Sequence, residues 1–188
     1  MKIIAFTGAK GSGKNTAAEY LRDKLERKNA LIIEVSFADI LKNIIHDSFG
    51  IKNSQADLIK RMDIKPFNGL TLREVYQQLG EAIKTYIGEN IWVNLTLTRT
   101  QDFIENLKPD YVLVTDLRYT NEEAALRKFA EDYGYELFII KMVNKNLPKN
   151  NDVHVSETQI DNIKEDFLIE AFNTEEIKNK LEEIHAIS

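Results

Sequence analysis

Nine residues near the start of the chain, Gly8-Ala9-Lys10-Gly11-Ser12-Gly13-Lys14-Asn15-Thr16, carry its sharpest chemical pattern. Glycines allow a backbone to curl until successive N–H groups point at one anion. A lysine after the last glycine places a point charge on the β- and γ-phosphates of a nucleotide, and a nearby hydroxyl suits a phosphate oxygen or the shell of a magnesium ion. Gly8, Gly13 and Lys14 keep the G-x-x-x-x-G-K spacing of a phosphate-binding loop, but the hydroxyl comes one place late, at Thr16 instead of Asn15. Gly11, Gly13, Lys14, Asn15 and Thr16 are therefore the candidates for holding ATP.

A second pair lies at Asp116 and Arg118, after the apolar run Tyr111-Val112-Leu113-Val114-Thr115. A carboxylate at the carboxyl end of a buried strand stands where open α/β sheets bind ligands, and it can order magnesium through water. An arginine two residues on suits the charge of a phosphoryl group in transfer. An N-cap aspartate and a surface ion pair to Glu122 or Glu123 are the structural alternatives. Lys42, Arg61, Lys65 and Arg73 are further cations that could meet a phosphate. Arg73 sits in a helical first turn, where a lone cation is mildly unfavourable. Lys141, Lys145 and Lys149 read as solvated surface lysines. His154 reads as a hydrogen-bonded structural histidine, with a catalytic base as the other reading. Tyr76, Tyr86 and Trp92 could stack on a base, although core packing is the default for such rings.

These residues need a scaffold, and the hydrophobic spacing supplies one. Short apolar runs at 2–7, 30–35, 111–115, 135–143 and 167–169 read as strands. Helical spacing marks 14–28, 39–49, 91–107, a segment from Thr71 to Gly88 and two later helices. Thr71 with Glu74, and Thr120 with Glu123, have capping-box spacing, and Thr174 caps the last helix. The stretch 51–70 is polar with an Asn68-Gly69 turn, and 144–164 has no clear period. Strands alternating with helices predict an α/β domain: a mostly parallel sheet with helices on both faces.

The 188 residues fit one domain with a small insert and are long enough to bury a core without staples. The absence of cysteine excludes a disulfide framework, a thiolate zinc site and a cysteine nucleophile. Three scattered histidines make no metal site. A net charge of -5 argues against a surface that coats nucleic acid. No run approaches a membrane span, and the opening apolar run is too short for a secretion signal, so a cytoplasmic protein is expected.

The loop Gly8–Thr16 resembles that of nucleoside monophosphate kinases, and Ser36-Phe37-Ala38-Asp39-Ile40-Leu41-Lys42 is similar to the acceptor-phosphate segment of adenylate-kinase-type enzymes. More specifically, the chain resembles the deoxynucleoside monophosphate kinases of bacteriophages. Thr71-Leu72-Arg73-Glu74, Gln78-Leu79-Gly80 and Glu89-Asn90-Ile91-Trp92-Val93 resemble one conserved block of that family. Thr115-Asp116-Leu117-Arg118-Tyr119-Thr120-Asn121-Glu122 resembles its D-x-R-[FY]-x-N-E motif, and His154-Val155-Ser156-Glu157 its H-x-S-E motif. Thr120 stands where that pattern has proline, and Glu81 where it has threonine.

The resemblance implies a P-loop NTPase three-layer sandwich with a small helical acceptor-binding insert near 50–90 and a lid within 118–160. It implies transfer of the ATP γ-phosphoryl group to a deoxynucleoside 5′-monophosphate with Mg2+. Lys14, Arg118 and Asp116 would be catalytic. Lys42, Arg61, Arg73, Gln78, Trp92 and Arg118 would bind the acceptor, and Thr16 and Asp116 would hold the metal, through water. The expected partners are small nucleotides, with neither nucleic acid nor membrane, and a homodimer is an allowed assembly. A P-loop kinase for another phosphorylated metabolite, of the phosphomevalonate or dephospho-coenzyme A type, is the nearest alternative. A GTPase-like switch fits poorly, since no D-x-x-G turn follows Asp116 and Asn144-Lys145-Asn146-Leu147 ends without the aspartate that reads guanine.

Overall fold

A computed structural model of the chain describes residues 1–61, 68–147 and 159–187. Ile3, Ile4, Ala5 and Phe6 are fully buried. A strand that apolar on both sides belongs in the middle of a covered parallel sheet, and that is where β1 (Lys2–Thr7) lies. Five strands run in the order β2-β3-β1-β4-β5, with β2 Ile32–Val35, β3 Tyr111–Leu117, β4 Glu136–Asn144 and β5 Phe167–Ala171. Every pairing is parallel.

Helices cover both faces. Ile4 and Phe6 pack with Ala17, Leu21 and Leu25 of α1 (Lys14–Glu26) and with Ile177 and Leu181 of the last helix, α7 (Thr174–Glu183). The alternate residues Ile3 and Ala5 point to the opposite side, where α6 (Thr120–Tyr133) packs on β4 and buries Leu126 and Phe129. The α/β class and its layers are thus as the spacing predicts.

The chain divides into two compact units, 1–37 with 97–188, and 38–96. The first contains the sheet. The second contains α2 (Asp39–Phe49), α3 (Asn53–Arg61), α4 (Leu72–Ile87) and the first turns of α5 (Ile91–Leu107). Its core gathers Ile45, Ala56, Leu72 and Val75. Gly80 lets α4 approach α2 closely, because a Cβ there would stand 2.9 Å from Leu41 Cδ2.

Three local expectations need correction. The polar stretch after residue 50 contains a helix, α3, whose Ala56 is buried although its sequence is mostly polar. The N-cap of α6 is Tyr119, and its acidic partner is Glu122, one place before the predicted pair. The last helix is capped by Asn173, which accepts from Glu176 N–H at 2.9 Å, so Thr174 is its first helical residue. The capping box of Thr71 and Glu74 is present as read.

Candidate active site

The glycine-rich loop joins β1 to α1 and bends through left-handed backbone at Gly11 (φ 79) and Gly13 (φ 96). Side chains resist that geometry. Space excludes them as well: a Cβ on Gly8 would lie 2.3 Å from the Met142 carbonyl oxygen, and one on Gly13 2.7 Å from Ile177 Cδ1. α1 begins with no side-chain cap and no acidic residue in its first turn. Its leading N–H groups and positive end therefore suit an anion.

Lys14 is only 6% exposed. Its ammonium donates to Gly8 O at 2.5 Å, Ala9 O at 2.8 Å and Ser12 Oγ at 3.5 Å. The loop's own carbonyls thus solvate the charge and hold it inside the curl. Neighbouring segments brace the loop from outside. Asn144 Nδ2 donates to Gly11 O at 3.1 Å, and Leu147 packs where a Gly11 side chain would be. Asn15 is exposed and Thr16 half-buried.

Asp116 lies beside this loop because β3 pairs with β1. The register runs Ala5 with Val114, then Thr7 with Leu117, so Thr115 and Asp116 together face Phe6. This bulge re-aims the strand end. One Asp116 oxygen accepts from Ser36 Oγ at 2.7 Å and the other from Phe37 N–H at 2.8 Å. A carboxylate held at this strand end fits contact with magnesium through water. Among the described residues no group of three acidic or histidine side chains could hold a metal by itself.

Arg118 is half-buried at the same strand end. The backbone N–H groups of Arg118 and Tyr119 donate to Glu122 Oε2 at 2.8 and 3.0 Å. Sequence reasoning quoted Ser36 and Glu122 within motifs, and Glu122 as an ion-pair alternative for Arg118, but gave neither its hydrogen-bonding role at the site. Ser36 could be found from its place directly after β2, and Glu122 from its place in the D-x-R motif.

The acceptor candidates other than Arg118 belong to the 38–96 unit. Lys42 pairs with Asp39 at 3.2 Å, one helical turn away, and its side chain is 34% exposed. Arg73 and Gln78 are exposed on α4. Trp92 is buried and donates its indole N–H to Gly80 O at 3.2 Å, a packing role within that unit. His46, one of the three scattered histidines, bonds Tyr76 Oη at 2.5 Å. Arg61 ends α3. Lys65, Lys149 and the whole His154–Glu157 motif fall outside the described residues. Of the lysines read as solvated, Lys145 is exposed and pairs with Glu170, whereas Lys141, in β4, is largely buried with its side chain 15% exposed and pairs with Asp161.

No family model matches the chain. A curated protein of Acanthamoeba polyphaga mimivirus, named "Putative deoxynucleotide monophosphate kinase", is 29% identical over 175 residues, covering 87% of this chain and 84% of its own. Among solved structures, the tunicamycin resistance protein of Deinococcus radiodurans aligns with a TM-score of 0.50 at 12% identity, over 100% of this chain and 98% of the other. The Mycobacterium tuberculosis APS kinase CysC in complex with AMPPNP and APS aligns at 0.49 and 16% identity, over 99% and 96%. The resemblance is thus borne out by a curated relative of similar description, and the fold is the expected α/β one, a parallel sheet with helices on both faces. No helix among the described residues is long and apolar enough to cross a membrane.

Proposed function

We propose that this chain, a homologue of the mimivirus protein and a nucleotide kinase by class, moves the γ-phosphoryl group of ATP onto a deoxynucleoside 5′-monophosphate. An oxygen of the acceptor phosphate bonds to the γ-phosphorus, the bond from that phosphorus to the β–γ bridging oxygen breaks, and ADP leaves. The acceptor phosphate is already ionised near neutral pH, so no general base is needed.

Catalysis of this kind is positioning and charge neutralisation. The loop N–H groups from Gly11 to Thr16 and the Lys14 ammonium hold the β- and γ-phosphates. Arg118 meets the charge on the group in transfer. Lys42, Arg61 and Arg73 neutralise the acceptor phosphate, and Gln78 offers an amide to the acceptor. Thr16 and, through water, Asp116 would hold magnesium, which when bound with ATP neutralises phosphate charge. The insert near 50–90 is the acceptor-binding part, and excluding water from the bound acceptor would limit hydrolysis of ATP. The cytoplasm, with its nucleotide pools, is the place for such an enzyme.

One observation carries this reading: a buried lysine fixed by loop carbonyls at the start of α1, after the strand β1 that pairs with β3, which holds Asp116 and leads directly into Arg118. The test is ADP formation with ATP, magnesium and a panel of dGMP, dTMP, dCMP, dAMP and GMP, with phosphomevalonate and dephospho-coenzyme A alongside. Turnover with a deoxynucleotide well above the ATPase background is the expected result. Turnover only with one of the last two would move the enzyme to another acceptor class, and none at all would sink the reading.

A further inference from the structure

Arg118 occupies an unusual place in the chain. β3 ends at Leu117 and the N-cap of α6 is Tyr119, so Arg118 is the single residue joining strand to helix. Its backbone angles decide where its guanidinium is aimed. A junction of one residue has no second residue to absorb an error in them.

Glu122 fixes that junction. It is 7% exposed, and one of its oxygens, Oε2, accepts from both Tyr119 N–H and Arg118 N–H. A helix cap of this type needs only the first bond, from the N-cap residue. The second reaches past the helix to the junction itself and is the shorter of the two. On the next residue, Thr120 N–H and Oγ1 lie 3.3 and 3.4 Å from Gln159 Oε1. Proline, the residue of the resembling motif at that point, has no N–H to donate. The backbone from 118 to 120 is therefore held by two side chains.

We propose that Glu122 is a positioning residue for catalysis, acting through Arg118; this rests on the kinase reading above. A carboxylate that sets one backbone N–H also sets the origin of the arginine side chain. Misplacement by about 1 Å at a reacting centre can cost roughly 100-fold in rate.

A double-mutant cycle tests it with the best acceptor of the panel. Glu122→Ala, Glu122→Gln, Arg118→Ala and Glu122→Ala/Arg118→Ala are compared for kcat, for both KM values and for Tm. Glu122→Ala is expected to lower kcat roughly 10- to 100-fold with little change in KM for ATP. Glu122→Gln keeps a carbonyl oxygen for the same N–H groups and should recover most of the rate. In the Arg118→Ala background the Glu122→Ala loss should shrink to about 2-fold or less, the scale of independent sites, while the drop in Tm persists. An equal kcat loss in both backgrounds, or a fall in Tm with kcat intact, overturns the proposal and leaves Glu122 a helix cap. If Glu122→Ala does not fold, Glu122→Asp runs the same cycle, since the shorter side chain withdraws its oxygen from Arg118 while keeping the charge. A wild-type protein that turns over no acceptor overturns the kinase reading and this inference together, and that is seen before any variant is made.

Discussion

The two units hold their candidate chemical groups in opposite ways. In the sheet-bearing unit the groups are braced by backbone. Lys14 is buried against three loop oxygens, Asp116 is tied to the end of β2, and Arg118 is fixed through Glu122. In the 38–96 unit the cations ride on helix surfaces. Lys42 has one half-exposed partner a turn away, and Arg73 and Gln78 are exposed. Groups that must stabilise a fleeting charge have to be fixed before the reaction, whereas groups that recognise a ground-state phosphate can be recruited by the ligand. On the proposed reading, the contrast predicts that the first unit sets rate and the second acceptor affinity.

The strongest way to break this contrast is Lys14→Ala. It should cut kcat/KM by more than 100-fold, roughly 3 kcal/mol of transition-state stabilisation or more, by analogy with the loss of an oxyanion donor. Steady-state assays that find less than a tenfold loss would remove the division. Next comes Lys42→Ala, expected to raise the acceptor KM about tenfold, roughly 1.4 kcal/mol, with the ATP KM unchanged. A shift in the ATP KM instead would place Lys42 on the donor side.

Two smaller effects sharpen the picture of the sheet-bearing unit as the rigid half. Thr7 is fully buried just before the loop, and its hydroxyl has no hydrogen-bond partner. Thr7→Val removes that group at nearly constant shape and should stabilise the fold by about 1 kcal/mol in chemical denaturation. The smallest effect concerns the tie between α1 and α7. Hydrogen bonds from Lys24 and Tyr20 hold the Glu182 carboxyl below its ordinary range. A lowered carboxylate gives stability that is complete above its unfolded pKa and lost as pH falls through the folded value. Glu182→Gln should therefore lower Tm slightly near neutrality, and the gap from wild type should narrow in acid. A gap independent of pH would mean that the side chain acts by packing alone. The effect is small because Glu182 is about half exposed and solvent screens it.

Legibility in the sequence followed the same division. The glycine loop could be read because each position answers a local need: positive φ at Gly11 and Gly13, and no room for a side chain at Gly8. Asp116 could be read because a short apolar run delivered it. The features that escaped depend on partners far along the chain. Ser36 meets Asp116 across 80 positions, and the Thr120 hydroxyl turns to Gln159 across 39 instead of capping its own helix. With Thr120 so engaged, Tyr119 becomes the N-cap and Glu122, not Glu123, the acidic partner. Helix α3 escaped for a related reason. Asn53-Ser54-Gln55-Ala56-Asp57 carries almost no apolar signal, and Ala56 is buried only because Ile45, Leu72 and Val75 surround it. On α4 the spacing revealed the helix but could not show which of its polar residues meet a ligand.

The central place of β1 has a consequence for how the chain is born. Its fully buried residues Ile3 to Phe6 are synthesised before both of their neighbours, since β3 from Tyr111 and β4 from Glu136 follow only after the whole 38–96 segment. That segment can gather its own small core as soon as it has emerged, while β1 waits as an unpaired apolar strand. Such a strand is open to wrong pairing throughout that interval. β1 is made well before the strands that shelter it, so the phosphate loop that follows it gains its framing sheet only once β3 and β4 have emerged.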